Sequence, residues 1–177
     1  MLVYIYLKVI RPLFSKAVFR CMAKKFNEDE KKQAQLYLEN IFSSLNTISD
    51  IVSENERLSM AGFTWKPDPM GGALDFSPEE LWLFIARKGD DCDGWAEFNF
   101  QACKRINLKP RMWVIIDGFN LKTSHVITTC YDPDSKKYYL FNNNSARTFD
   151  TEEECIGVFT KEQGGVYKNL KKYLFRE

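Results

Sequence analysis

Three residues whose side chains support nucleophilic catalysis occur along the chain in the order Cys92, His125 and Asn142. Cys92 follows a Gly-Asp-Asp turn at the start of a predicted helix, where the helix N-terminus lowers the pKa of a thiol. A neighbouring imidazole takes the thiol proton and later protonates the leaving group. A side-chain amide on the second ring nitrogen holds the imidazole in orientation. Together they indicate acyl transfer, with Cys92 as nucleophile, His125 as general acid and base, and Asn142 orienting His125.

The chain contains one histidine, which limits the possible chemistry. Any mechanism that uses an imidazole depends on His125, and zinc sites with two or more histidines are excluded. Asp90, Asp91 and Asp93 suggest a cation site, but capping of the helix start is the favoured interpretation. Asp132-Pro-Asp134 lacks the glycine and the glutamate of a calcium loop, and the sequence has no glycine-rich phosphate-binding motif. We therefore expect no metal and no cofactor.

A helix and a strand hairpin must position the three residues. The helix that begins at Cys92 is predicted to end near Ile106. After it, β-branched and aromatic residues predict strands. These strands are Met112–Ile116, Ser124–Tyr131 and Lys137–Phe141. The turn Asp132-Pro-Asp-Ser135 joins the last two strands, and this hairpin returns Asn142 to the neighbourhood of His125.

The rest of the chain is predicted to be helical before this region and mixed after it. The capping pattern Asn27-Glu-Asp-Glu30 opens a helix, and an apolar stripe at helical spacing extends it to about residue 56. The stripe consists of Leu38, Ile41, Leu45, Ile48 and Val52. Ser77-Pro-Glu-Glu80 opens a helix to about Lys88. Residues 151–159 favour a short helix, and residues 166–175 are ambiguous between strand and helix. Helices followed by an antiparallel meander indicate an α+β fold.

The segment Gly89-Asp-Asp-Cys-Asp-Gly-Trp-Ala96, followed by a helix ending near Ile106-Asn-Leu-Lys-Pro110, resembles the transglutaminase-like branch of the papain-like cysteine enzymes. In that family a Gly-Asp-type turn precedes the cysteine, an alanine stands four residues after it, and the histidine opens a later strand. The stretch from Trp65-Lys-Pro-Asp68 to Ser77-Pro-Glu-Glu80 resembles the segment before the cysteine in bacterial and phage members. The resemblance covers roughly residues 63–145 and does not extend to residues 1–60.

The resemblance implies a papain-like, transglutaminase-like fold in which the nucleophile-bearing helix packs on an antiparallel sheet. It implies an N-terminal helical region over residues 1–60 and a cysteine-enzyme domain over residues 61–177. The expected activity is that of a cysteine protease acting on a protein or peptide through a Cys-His-Asn triad. Trp65 and Asp91 are candidates for contacts to the oxyanion or the substrate, and the Trp65 indole is a donor only.

Several alternatives stay open. Asn142 stands where this branch more often has aspartate, and Asn144 is the second choice for the third triad member. Glutamine deamidation and transglutamination use the same triad and the same first step as peptide hydrolysis. The alternative from another functional class is a binding module that has kept the fold and lost its catalytic activity. It stays open because a free cysteine is more often a core residue than a catalyst. Cys103 and Cys130 are interpreted as core residues, and so are Trp82, Trp95 and Trp113.

Composition sets wider limits. With 177 residues, 45% of them hydrophobic, the chain is expected to form one domain with an appendage, and disorder is excluded. A net charge of +1 gives no indication of nucleic acid as a partner. The five cysteines are odd in number and match no metal-binding spacing, so we expect a reducing, cytoplasmic environment. No stretch approaches the roughly 20 apolar residues of a spanning helix, and no signal peptide is predicted.

Residues 1–25 differ from the remainder in charge. They carry six basic and no acidic side chains, and the remainder then carries 19 basic and 24 acidic ones, a net of −5. Such a basic, aromatic start suits peripheral contact with an anionic membrane or a partner. The favoured interpretation is a terminal helix that packs on the domain with its lysines in water.

Overall fold

The computed structural model describes residues 11–66, 80–118 and 120–177, with side chains for 15–66, 80–118 and 124–177. This part of the chain has the predicted α+β class. The α-helices are α1 Arg11–Ala23, α2 Glu28–Ser44, α3 Ile48–Met60, α4 Trp82–Arg87, α5 Cys92–Arg105 and α6 Glu152–Gly157. The strands are β1 Pro110–Asp117, β2 Asn120–Asp132, β3 Lys137–Asn142, β4 Ser145–Phe149 and β5 Leu170–Arg176.

The strands form one antiparallel sheet in the order β4-β3-β2-β1-β5. The three predicted strands are present as β1, β2 and β3, and the predicted turn between the last two is confirmed. The sequence of residues 166–175 is ambiguous between strand and helix. In the structure most of these residues form strand β5, which pairs with the outer edge of β1. The short strand β4 was not predicted. A two-residue turn at Asn143 and Asn144 folds it back onto β3.

The prediction of a single helix from Asn27 to about residue 56 is wrong. The chain forms two helices, α2 and α3, with a break at Leu45, which is extended at φ −78° and ψ 128°. Thr47 restarts the helix with a capping box: its side chain accepts from the Asp50 N–H, and the Asp50 carboxylate accepts from the Thr47 N–H at 2.8 Å. The apolar stripe continues across the break, because Leu45 and Ile48 are both buried.

Helix α5 lies between the other helices and the sheet, and its residues contribute to both cores. Trp95 and Phe98 pack with α4, where Phe84 meets the Trp95 ring at 4.9 Å. Ala96 and Phe100 lie on the sheet side, against residues of β1 and β2. The nucleophile-bearing helix of the prediction is thus packed on the sheet. Because α2 and α3 also contribute to the core around Trp95, the boundary near residue 60 stays a prediction.

Helix α1 packs on the body of the protein. Val18 is buried, and the Phe19 ring meets Trp82 edge-on at 6.0 Å. The described part of residues 1–25 therefore agrees with the packing interpretation, whereas residues 1–10 lie outside the described residues. Among the described helices, none is long and apolar enough to cross a membrane.

The loop that leads to α5 is tightly fixed. The predicted cap at Ser77 lies outside the described residues. Helix α4 ends at Arg87, and its C-cap Lys88 is left-handed at φ 54°. Gly89 follows at φ 112°, and a Cβ there would lie 2.1 Å from the Thr64 carbonyl oxygen. Only glycine fits this combination of backbone angle and contact. The backbone of the turn before Cys92 is therefore held in one conformation.

Candidate active site

Cys92 is the first residue of the 14-residue helix α5 and is half-buried. Asp91 is the N-cap, and its carboxylate accepts a hydrogen bond from the Asp93 N–H at 3.3 Å. Asp90 is fully buried and forms an ion pair with Arg87. A first-turn N–H has no acceptor within its own helix, so this end carries partial positive charge. These features place a thiol where a helix dipole favours the thiolate.

His125 and Asn142 are in direct contact. The Nε2 atom of His125 lies 2.7 Å from the Oδ1 atom of Asn142. Thr128 pairs with Phe141 in the ladder between β2 and β3, so Asn142 lies beside Ile127 and His125 is its diagonal neighbour on the same face. Since an amide oxygen only accepts, the bond is made by Nε2–H. The lone pair of a neutral ring is then on Nδ1, available to accept a proton.

The geometry of β2 determines the faces of the sheet on which α5 and His125 lie. Val126 and Thr128 face α5, and the Thr128 hydroxyl donates to the Ala96 carbonyl at 2.8 Å. Side chains alternate along a strand, so His125 points to the opposite face. Within the described residues the ladder to β3 ends at Thr128, which leaves the edge of β2 beside His125 without a strand. Cys92 packs on the α5 face of the sheet near this edge, and the imidazole lies on the other face.

Electrostatic interactions connect the helix start with His125. Burial lowers the pKa of His125 from its ordinary value, while the hydrogen bond to Asn142 and the negative charge of Asp91 raise it. The net effect keeps the imidazole neutral near pH 7, which is the state that a general base requires. Asp91, adjacent to Cys92, is thus near enough to act on the ring of His125.

A second wall of the site comes from the segment after α6. The Phe159 ring contacts the imidazole of His125 at 5.5 Å and stacks on Tyr167 at 6.4 Å. Tyr167 is buried, and its pKa is raised to about 12 by burial first and then by the charges of Cys92 and Asp117. Phe159 and Tyr167 were not predicted as site residues. Cys92 thus acts electrostatically on Tyr167, whose ring stacks on the Phe159 ring that contacts His125.

Backbone hydrogen bonds hold the two rings together. The Tyr167 N–H donates to the Phe159 carbonyl at 2.9 Å, and the Gly165 N–H donates to the Thr160 carbonyl at 2.7 Å. A Cβ at Gly165 would lie 2.2 Å from the Phe159 carbonyl carbon. Downstream, the Asn169 N–H donates to the Asp117 carboxylate at 2.7 Å. This segment is therefore fixed at both ends over the imidazole.

The Gly165→Ala substitution is expected to displace Phe159 from His125. Because the clash is with backbone, the fold should lose about 1–3 kcal/mol of stability. The pKa of His125 should then rise toward about 6.5 as the ring becomes more exposed. Urea unfolding and NMR titration of the single histidine measure both effects. Gly157→Ala is the matched control, since its Cβ would meet only Gln163 side-chain atoms at 3.8 Å and beyond; equal shifts in both variants would contradict this account.

The remaining candidates take different positions. Trp65 is 58% exposed, and its proposed contact to an oxyanion stays a prediction. Asp91 serves as the helix cap, as its capping interpretation predicts. The Asn144 side chain donates to the Ser59 hydroxyl at 2.7 Å, so Asn142 is the asparagine that contacts His125. Asp90, Asp91 and Asp93 offer oxygen atoms within 4.8 Å of one another, the one group of potential metal ligands found within the described ranges.

The cysteines outside the site have the environment expected of core residues. Cys103 and Cys130 are both buried, as predicted. Burial raises the pKa of the Cys103 thiol well above its ordinary value, and the neighbouring Cys130 adds to this. Burial also raises the pKa of Cys155 to about 12. Cys21 is exposed on α1, and it supplies a solvent-accessible reference thiol for experiments on Cys92.

No protein-family model and no curated protein matches the chain. Among solved structures, the chain is similar to two of LapG from Legionella pneumophila, one of them EGTA-treated. In both cases the identity is 14% and the TM-score 0.47, and the match covers 76% of this chain and 74% of LapG. The function of this chain is therefore inferred from its own residues.

Proposed function

We propose that this protein is a cysteine-dependent amide hydrolase, and that peptide hydrolysis is its reaction. The observation that supports this most strongly is the 2.7 Å hydrogen bond between His125 and Asn142, in a chain with no other histidine. The bond sets the tautomer that leaves Nδ1 as a base. Cys92, at the N-terminus of α5, is the one cysteine that combines partial exposure with a helix start.

The proposed reaction has two halves. Nδ1 of His125 takes the Cys92 thiol proton while Sγ attacks the carbonyl carbon, and the electron pair of the C=O bond moves to oxygen. The Cys92 N–H is the proposed donor to this oxyanion. When the intermediate collapses, the C–N bond breaks and the leaving nitrogen takes the proton from the imidazolium. A water molecule, deprotonated by Nδ1, then attacks the thioester, and the acid and the free thiol are released.

The identity of the acyl acceptor separates hydrolysis from its alternatives. Attack by water on a glutamine-derived thioester gives deamidation, and attack by an amine gives a cross-link. Asn142 supplies a neutral partner to the imidazole, so the imidazolium formed during attack is stabilised by a hydrogen bond without a full ion pair. The same first step serves all three reactions, and peptide hydrolysis is the simplest because water is always present.

An activity screen tests the proposal. Wild-type protein and Cys92→Ala are incubated with a peptide library, with a glutamine peptide plus a primary amine, and with an isopeptide, and products are read by mass spectrometry. We expect new peptide termini from the wild type and none from Cys92→Ala. Cys21→Ala is the control for general loss of a thiol and should keep the activity. Equal product from wild type and Cys92→Ala would contradict the proposal, and binding without product from both would favour the binding module.

A further inference from the structure

A chain of buried side-chain amides joins α3 and α5 to the turn that follows Asn142. The Asn55 Nδ2 donates to the Asn99 Oδ1 at 2.7 Å. The Asn99 Nδ2 in turn donates to the Trp95 carbonyl at 2.9 Å and to the Asn143 carbonyl at 3.1 Å. Asn99 is fully buried and Asn55 is 1% exposed. Two amides are thus enclosed within the core: Asn55 donates to Asn99 and its Oδ1 has no hydrogen-bond partner, whereas Asn99 also donates to two backbone carbonyls.

Buried amides at this depth are costly unless their bonds are made. An apolar residue at position 99 would leave the buried Asn55 amide and the Asn143 carbonyl without the hydrogen bonds that Asn99 makes with them. Polar networks of this kind fix one arrangement of the elements that they join. The bond from Asn99 crosses from helix to strand turn, so the arrangement that it fixes is the position of that turn relative to α5.

The turn itself is in a demanding conformation. Asn143 is left-handed at φ 51°, a conformation that asparagine tolerates better than most residues do. Its carbonyl is held by Asn99, and the Ser145 hydroxyl donates to the Asn142 carbonyl at 2.8 Å. The backbone on both sides of the Asn142–Asn143 peptide is therefore fixed. The direction of the Asn142 side chain follows from that backbone.

We infer that Asn99 is a positioning residue for His125, acting through the Asn143 carbonyl and Asn142, and that Asn55 brings helix α3 into this arrangement. The inference rests on the proposed function. Asn55 fixes the amide of Asn99, Asn99 fixes the turn, and the turn holds Asn142 against the imidazole. A role for the N-terminal helical region follows: α3 sets the geometry of the site from behind α5.

The test uses the full chain and its single histidine. The Asn99→Leu variant keeps the shape of the side chain and removes its hydrogen bonds. We expect the NMR titration of His125 to move to lower pH, in the same direction as in Asn142→Ala, because the hydrogen bond that raises its pKa is weakened. The rate of Cys92 alkylation near pH 7 should fall about tenfold. In the Asn142→Ala background, Asn99→Leu should cause no further change in the titration.

Controls separate positioning from a general loss of stability. Ile41→Ala removes a buried core side chain on α2 and should leave the His125 titration and the alkylation rate as in the wild type. If Asn99→Leu does not fold, Asn55→Ala carries the test, with the same direction and a smaller shift. An unchanged titration in a folded variant would overturn the inference, and so would an equal effect of Asn99→Leu with and without Asn142. Failure of the proposed function gives a different result: the rate of Cys92 alkylation is then the same in the wild type and in His125→Ala.

Discussion

Replacing His125 with alanine is expected to reduce kcat/KM for peptide hydrolysis about 10⁴-fold. The substitution removes the group that takes the thiol proton and later protonates the leaving nitrogen, and the chain has no second histidine to replace it. The measurement is the initial rate of cleavage of the best peptide from the activity screen, with the folded state checked by circular dichroism. A loss of less than tenfold in a folded variant would contradict a role for His125 in the chemistry.

Two controls accompany this variant. Added imidazole should restore part of the activity of His125→Ala, because a small base can enter the space that the ring leaves. Phe159→Leu keeps an apolar side chain beside His125 and tests whether loss of the neighbouring ring contact alone reduces the rate. We expect it to cost far less than His125→Ala, since the base and its bond to Asn142 remain.

Replacing Asn142 with alanine is expected to reduce kcat/KM about 10²-fold, because the imidazole loses the partner that fixes its orientation. The acid limb of the pH–rate profile should move to lower pH. The sign follows from the structure: the hydrogen bond to Asn142 raises the pKa of His125, so its removal lowers a pKa that burial already depresses. A full pH profile of kcat/KM measures both effects.

Two further variants sharpen the result for Asn142. Asn142→Asp keeps an acceptor and adds a negative charge, so the acid limb should move to higher pH and most of the activity should remain. Asn144→Ala is the matched control, because the Asn144 amide contacts Ser59 and not the imidazole. Its effect should be at most a few-fold. A larger loss from Asn144→Ala than from Asn142→Ala would transfer the orienting role to Asn144.

The elements that carry the candidate site follow from local sequence. The Gly-Asp-Asp turn and the apolar side of the following helix predicted α5 from Cys92, and the structure ends this helix at Arg105. The Pro-Asp turn predicted the hairpin of β2 and β3, and the contact between His125 and Asn142 expected from it is present. Both predictions succeed because each signal lies within a few residues of the feature that it determines.

Other features depend on contacts between distant parts of the chain. The break between α2 and α3 does have a local signal, the capping box at Thr47. The apolar stripe keeps its helical spacing across the break, however, and therefore predicts one continuous helix. The strand β5 forms because β1 has a free edge, which a local pattern cannot reveal. Phe159 and Tyr167 reach the site through a turn that Gly165 permits, far from His125 in sequence. The amide chain from Asn55 to Asn143 spans three separate segments.

The reactivity of the Cys92 thiol toward iodoacetamide as a function of pH tests the central claim most directly. Peptide mass spectrometry follows Cys92 and the exposed Cys21 in the same molecule, so Cys21 serves as an internal reference. We predict that alkylation of Cys92 reaches half its maximal rate well below the ordinary thiol pKa of about 8.5. In His125→Ala the midpoint should rise to that value or above it, because no imidazole remains to take up the thiol proton. A wild-type Cys92 that titrates together with Cys21, and does so equally in His125→Ala, would contradict the account.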